Sequence, residues 1–362
     1  MSNSDIRVVP GPANYFSHPG SLERLSNFFS ADQLSRAVWV YGERALAGAE
    51  PFLPAAFHLP EAKKIRFTGH CSERDVAELV QASGDDRAVV IGVGGGALLD
   101  SAKVLARRLG VPLVAIPTIA ATCAAWTPLS VWYSDAGQAL NFEIFDDANF
   151  LVLVEPRIIL NAPAEYLLAG IGDTLAKWYE AVVLAPQPEA LPLTVRLGIN
   201  GALAIRDVLL ASSETALADQ SRGDLTQAFR DVVEAIIAGG GMVGGLGERY
   251  TRVAAAHAVH NGLTVLPQTD KFLHGTKVAY GILVQSALLG QDDVLAQLVQ
   301  AYQRFNLPTT LAALEVDINN RTELDRVIAH TLRPGESIHY LPVTLTPEVL
   351  RAAFEKVEYF SR

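Results

Sequence analysis

The sequence predicts an α/β domain at the N-terminal end followed by an all-helical domain. Up to about Pro163, short and almost wholly apolar runs alternate with helix-forming ones; continuous apolar strands of that kind belong to parallel sheets covered on both faces. Beyond Pro163 the chain reads almost entirely as helices punctuated by Pro and Gly. The length of 362 residues accommodates two domains of ordinary size. The boundary is placed after residue 162, giving domains 1–162 and 163–362, and the junction of two such domains is a natural place for a substrate.

The strands come in order. RAVWVYG (Arg36 to Gly42), KIRFTG (Lys64 to Gly69), RAVVIGVGGG (Arg87 to Gly96) and VPLVAIPT (Val111 to Thr118) have apolar centres and β-rich compositions. The third runs directly into ALLDSAKVLARRLG, which has helical spacing. The chain then turns through SVWYSDAGQ and NFLVLVEP. The helical part is carried by GIGDTLAKWYEAVVLA, LTVRLGINGALAIRDVLL, LTQAFRDVVEAIIAGGGMV, RVAAAHAVHNGL, KVAYGILVQSALLG, DVLAQLVQAYQRF and LTPEVLRAAFEKVEYF. No internal repeat or low-complexity segment interrupts it.

Half of the residues are apolar and 19% are charged, a globular profile. Asp and Glu number 39 against 29 Lys and Arg, so the net charge is −10. Such a surface repels nucleic-acid backbones and anionic membranes. No signal-peptide pattern opens the chain, and no apolar run is long enough to span a bilayer. Cys71 and Cys123, far apart in sequence, make neither a disulfide framework nor a thiolate zinc site. The expectation is a reduced, cytoplasmic protein.

GVGGGALLDSAK (Gly92 to Lys103) ends a strand and opens a helix. Glycines admit a ligand close to the backbone, and the helix N-terminus turns free N–H groups and a positive dipole end toward phosphate. A pyrophosphate suits that geometry; so does a tight turn without a ligand. The spacing is neither G-x-G-x-x-G nor a P-loop. Asp100 and Lys103 read either as a surface ion pair or as groups with a cofactor or domain-bridging role. AGGGMVGGLG (Ala238 to Gly247) follows a helix and reads as a crowded helix contact or loop.

Three residues have the chemistry of metal ligands: Asp173, at the start of a helix in GIGDTLAKWYEA, His257 in AAAHAVHNG, and His274 in KFLHGTKVAYG. One carboxylate and two imidazoles suit a divalent transition ion, Zn²⁺ or Fe²⁺, with a position left open for a substrate oxygen. Singly, Asp173 also reads as a helix N-cap, His257 as a satisfied core histidine, and His274 as a loop residue. HAVH lacks the glutamate of HExxH.

In order, spacing and context, GVGGG…LDSAK, PTIAAT…LSVWY, AGIGDTLAKWYEA, AAAHAVHNGLTVL and FLHGTKVAYG together resemble the glycerol-dehydrogenase-like branch of the iron-containing (group III) alcohol dehydrogenases, over roughly residues 87 to 282. The resemblance implies a dehydroquinate-synthase-like fold. It implies a metal, Zn²⁺ first and Fe²⁺ or another transition ion after it, on Asp173, His257 and His274. It places the dinucleotide pyrophosphate on Gly94, Gly95, Gly96, Ala97 and Leu98. Further cofactor contacts are implied from Thr118, Thr122, Thr127, Leu129 and Tyr133. It also implies a homo-oligomer, a dimer or larger.

Departures from the family pattern sharpen the substrate. Long-chain relatives carry a fourth ligand, a histidine, where this chain has Lys177. At i, i+4 from Asp173 that ammonium shares its helix face; it either holds a substrate carboxylate or is a solvated lysine pairing with Glu180 or another carboxylate. Glycerol dehydrogenases carry a polyol-binding aspartate where this chain has Cys123, followed by Trp126 in the same loop. Loss of that negative charge favours an anionic substrate, though a small buried packing residue is the ordinary reading of such a cysteine. Glu43, at the end of RAVWVYGER, stands where an acid binds the ribose hydroxyls of NAD. Arg44 beside it offers a partner for a 2′-phosphate, and the resemblance favours NADPH over NADH.

The expected activity is reduction of small 2-oxo acids, such as 2-oxoglutarate or 2-oxobutanoate, to 2-hydroxycarboxylates. The metal serves as Lewis acid, the nicotinamide as hydride source, Lys177 as carboxylate binder and His260, three residues after His257, as proton relay. The alternatives are an NAD-dependent polyol or secondary-alcohol dehydrogenase, a lyase of the dehydroquinate-synthase type, for which the helical part offers only scattered cations, and a nucleotide-binding sensor without turnover.

Overall fold

The computed structural model describes residues 6–135 and 137–362. Ala136, in the expected SVWYSDAGQ turn, and the first five residues lie outside that description. Two compact units are present. A sheet unit comprises Val9–Pro163 and Asp219–Gly245; a helical unit comprises Ala164–Ala218 and Leu246–Arg362, together with residues 6–8. A division at 162/163 does not contain the return of Asp219–Gly245 to the sheet unit. That return is fastened by Gln220, whose Nε2 donates to the carbonyls of Ile159 (3.1 Å) and Ala162 (3.0 Å).

The sheet unit is built on a six-stranded parallel sheet of order β1-β8-β5-β4-β2-β3. Its strands are β1 (Asn14–Ser17), β2 (Ala37–Tyr41), β3 (Lys63–Arg66), β4 (Val89–Gly94), β5 (Leu113–Pro117) and β8 (Leu151–Val154). Strand β4 is wholly buried, and Trp39, Ile91, Val93, Val114 and Ile116 form part of one core. That is the burial on both faces which continuous apolar runs require. Two runs read from sequence as turns are strands instead. LVLV becomes β8, inserted between β1 and β5, and SVWY lies in β6 (Leu129–Tyr133), which pairs antiparallel with β7 (Ala139–Ile144). Apolar runs of four or five residues are too short for periodicity to assign.

The chain goes from β2 outward to β3, then returns to place β4 on the other side of β2. The carboxyl ends of β2 and β4 therefore flank the switch point at which open α/β sheets bind ligands. From β2 the chain enters α1 (Glu43–Ala49), and from β4 it enters α2 (Gly96–Leu109). At Gly92 an added Cβ would press on Ala102 and Leu99 at 3.0 and 3.1 Å, so the glycine lets α2 lie close against β4.

In the helical unit three helices concern the site: α3 (Ala164–Leu184), α4 (Ala255–Leu263) and α5 (His274–Leu288). They approach through residues without side chains. A Cβ on Gly172 of α3 would lie 2.5 Å from the Gly275 carbonyl oxygen of α5, and a Cβ on Gly281 of α5 would strike the Ala256 carbonyl of α4. No helix among the described residues is long and apolar enough to cross a membrane.

Candidate active site

The glycine contacts set the metal constellation. Gly172 and Gly275 are the chain neighbours of Asp173 and His274, so the close approach of α3 and α5 brings those two side chains together. Asp173 does not cap a helix. It lies ten residues into α3, because GIG continues the helix, and it is buried. His257 is the third residue of α4, and His274 the first of α5. Asp173 Oδ1 lies 3.2 Å from His274 Nε2 and 3.6 Å from His257 Nε2. One ligand atom from each of the three residues falls within 4.8 Å of the other two.

The surrounding hydrogen bonds fix what those atoms offer. Glu180, fully buried on α3, accepts from His257 Nδ1 at 2.7 Å. Its other oxygen accepts from the backbone N–H groups of Ala254 (2.6 Å) and His257 (3.1 Å). Helix α4 begins in an alanine run with no side-chain cap of its own; its orphan N–H groups are satisfied by Glu180 and by Gln285 Oε1 from α5, which accepts from Ala255 (3.0 Å) and Ala256 (3.3 Å). One buried carboxylate thus caps the helix and orients the His257 ring.

A second chain starts at His274. Its Nδ1 lies 3.0 Å from His260 Nε2, and His260 Nδ1 lies 3.0 Å from Asn261 Oδ1. Asn261 donates through Nδ2 to Glu336 at 2.9 Å, so its Oδ1 is an acceptor. Burial, reinforced by the charges of His274, Lys277 and His257, holds His260 well below the usual imidazole range, so the ring is neutral. Its Nδ1–H then donates to Asn261, its Nε2 accepts from His274 Nδ1–H, and His274 Nε2 keeps a lone pair toward Asp173. His257 Nε2 does the same, since its Nδ1–H is held by Glu180.

With those tautomers three acceptor atoms face one another, and either a proton on an imidazole, donated to Asp173, or a cation in its place relieves that arrangement. Burial would raise the Asp173 carboxyl, but hydrogen bonds from His257 and His274, with the charges of His274 and Lys177, hold it well below the usual range. Burial would lower His257, but Glu180 and Asp173 prevail and push it up to about 9. Such a centre takes up positive charge. A carboxylate with two imidazoles, each oriented by a hydrogen bond at its second nitrogen, fits a divalent transition ion.

Lys177, half-buried one turn after Asp173, is among the charges acting on that carboxylate. Glu180, its alternative partner in the sequence reading, accepts from His257 and from the Ala254 N–H. His260, expected as a proton relay, has both ring nitrogens engaged inside this network.

In the sheet unit Gly94 ends β4, Gly95 precedes α2 without a side-chain cap, and Gly96 opens the helix with Ala97 and Leu98 in its first turn. No acidic residue stands in that turn, so the N-terminus suits an anion. Thr122 and Thr118 are brought to the loop: a Cβ on Gly96 would lie 3.4 Å from Thr122 Oγ1, and Thr118 N donates to the Gly94 carbonyl at 3.2 Å. Asp100 and Lys103 are not a surface pair. They are buried, 2.9 Å apart; Lys103 Nζ donates to the Leu129 carbonyl (2.5 Å), and Val131 N donates to Asp100 (3.1 Å). They lock β6 onto α2 and so position Leu129. Tyr133 ends β6 stacked on His70. Thr127 lies in a backbone turn on the Cys123 carbonyl.

Cys123 is partly exposed and not in a disulfide. Trp126 is a packing residue: its Nε1 donates to the Pro10 carbonyl at 2.8 Å, and its ring fills the space left by Gly11 and Gly241. The glycine-rich AGGGMVGGLG run is indeed a crowded contact, helical at Gly240–Gly247. Glu43 and Arg44 are exposed after β2. Glu43 pairs not with Arg44 but with Arg66 of β3, at 2.8 Å. Gln285 and Arg66 are absent from the sequence reading, and Glu180 enters it only as a partner for Lys177; a lone glutamate seven residues after Asp173 in an apolar helix was the one available signal of its role.

The iron-containing alcohol dehydrogenase family matches residues 12–156. Hydroxycarboxylate dehydrogenase A of Escherichia coli (strain K12) is 79% identical over 360 residues, 99% of each chain. A glycerol dehydrogenase of Pseudomonas putida is 34% identical over 96% of each chain. The crystal structure of a probable glycerol dehydrogenase from Sinorhizobium meliloti 1021 superposes with a TM-score of 0.85 at 28% identity, covering 98% of this chain and 99% of its own.

Proposed function

The chain belongs to the iron-containing alcohol dehydrogenase family, a metal-dependent oxidoreductase acting on CH–OH groups, and from that premise we propose that it reduces 2-oxo acids to 2-hydroxycarboxylates with NADPH. The observation that carries the reading is a half-buried ammonium, Lys177, one turn from the ligand carboxylate of Asp173, in a chain that has a thiol at Cys123. A cation beside the centre binds an anionic substrate and does nothing for glycerol. The 79% identity to a hydroxycarboxylate dehydrogenase supports the same substrate class.

Asp173, His257 and His274 would hold the divalent ion, Zn²⁺ by donor set, and Gly94, Gly95, Gly96, Ala97 and Leu98 the pyrophosphate. When bound, the ion supplies Lewis-acid polarisation of a carbonyl and the nicotinamide supplies the hydride. The protein's own contribution is positional. Glu180 and His260 each fix one imidazole tautomer so that Nε2 stays unprotonated for the ion, and Lys177 orients the substrate carboxylate. With both nitrogens engaged, His260 is a positioning residue, and the alkoxide proton comes from water.

For the cofactor, a lone carboxylate at Glu43 would repel a 2′-phosphate. Its ion pair with Arg66, together with Arg44 beside it, offsets that charge and supports NADPH. The family's oligomeric habit, as the sequence resemblance implies it, extends to this chain as a homo-oligomer. The test is a substrate panel at fixed cofactor. NADPH oxidation with 2-oxobutanoate or 2-oxoglutarate should exceed NAD⁺ or NADP⁺ reduction with glycerol at least tenfold in kcat/KM, on the order of one charge-assisted contact. Preference for glycerol would select the polyol reading instead.

A further inference from the structure

Among the partly or fully buried cations of the helical unit, Arg206, Arg249, Arg351 and Lys356 each hold a carboxylate, and Lys277 holds the Thr269 carbonyl. Arg252 differs. It is partly buried, yet among the described residues it makes no hydrogen bond or ion pair. Burial holds its guanidinium below the usual range, and the one charge working against that is Glu248, which is itself paired with Arg249 at 3.1 Å. None of its nitrogens is among the fully enclosed, partnerless atoms of the structure, so the group faces accessible space. A half-desolvated guanidinium without an acceptor costs stability, and a rule broken without local compensation points to function.

Its place in the fold is next to the centre. Arg252 follows the 3₁₀ turn Glu248–Thr251, which packs against α3, the helix of Asp173 and Lys177. Two residues later comes Ala254, whose N–H shares the Glu180 carboxylate with His257. Lys177 is among the charges that set Asp173, whereas Arg252 is not among the leading charges on Asp173 or His257. Arg252 lies five residues before His257, on the run that leads into α4.

We propose that Arg252 is a specificity residue that binds the second, distal carboxylate of a dicarboxylic 2-oxo acid. Its fork of donors matches a carboxylate bidentately. The inference rests on the 2-oxo acid reading above and adds to it the length and charge of the substrate.

The test compares wild type, Arg252→Ala and Arg252→Lys, with 2-oxoglutarate as the dicarboxylate probe and 2-oxobutanoate as the monocarboxylate. Arg252→Ala should lower the ratio of kcat/KM for 2-oxoglutarate over 2-oxobutanoate by about tenfold or more, chiefly through KM, as loss of a charge-assisted pair implies. Arg252→Lys should recover part of it. Calorimetric binding of 2-oxoglutarate should weaken in parallel, and the thermal midpoint of Arg252→Ala should hold or rise, since an unsatisfied charge has been removed. An unchanged ratio, or a fallen midpoint with both substrates equally impaired, overturns the proposal. A wild type active on 2-oxobutanoate but not on 2-oxoglutarate overturns it alone; a wild type active on no 2-oxo acid overturns the functional reading and this proposal together.

Discussion

Glu180 orients the His257 imidazole toward Asp173 and His274 without being one of the three convergent residues. With Nδ1 of His257 donating to it at 2.7 Å, the lone pair of Nε2 is left for a cation. Outer-shell carboxylates of this kind tune affinity by about 10–100-fold. Glu180→Gln is therefore expected to weaken Zn²⁺ binding by about that factor, read by competition with a chromophoric chelator; an unchanged dissociation constant would remove Glu180 from the account. The three candidate ligands, which the fold brings together, were legible in sequence because carboxylate and imidazole chemistry is written in the residue type. Their orienting partners were not. A glutamate seven residues after Asp173 announces a shared helix face, but not that α4 lies opposite with its N-terminus uncapped. Arg66 is a similar case, since strand pairing of β3 with β2 alone brings it to Glu43.

At the scale of elements, two glycines do what a side chain cannot. Gly172 and Gly275 let α3 and α5 close until Asp173 and His274 meet at 3.2 Å. Gly275→Val would force the helices apart against the Ala169 carbonyl. It is expected to cost about 1–3 kcal/mol of stability, as overpacking does, and to lower bound metal at the same time. Thermal unfolding and metal content on one sample check both; full metal occupancy at reduced stability would separate the glycines from the centre. Those glycines also explain why the start of α3 was misplaced in sequence. GIG reads as a helix boundary, whereas here it is helix interior kept thin for contact. Strands β2 to β5 were legible from their apolar centres between turn residues; β1, β8 and the β6–β7 pair were not, because runs this short carry no readable period and their Asn, Ser, Asp, Gly and Pro neighbours read as turns.

For the molecule as a whole, order of motifs outweighed any one of them. Each block was ambiguous alone, and five in register pointed to one family, which a 79% identical hydroxycarboxylate dehydrogenase then bore out. The return of Asp219–Gly245 to the sheet unit had no sequence signature, since an amphipathic helix looks the same whichever unit it serves. Against a net charge of −10, Lys177 and Arg252 are the two cations proposed above to meet the carboxylates of the substrate. The account's central claim is that Asp173, His257 and His274 hold one divalent ion on which 2-oxo acid reduction depends. The most direct measurement is metal content and NADPH-linked 2-oxobutanoate turnover on the same samples of wild type and His257→Ala. The account predicts about one bound transition ion per chain with turnover in the wild type, and loss of both in the variant. A variant that keeps its metal and its turnover would contradict it.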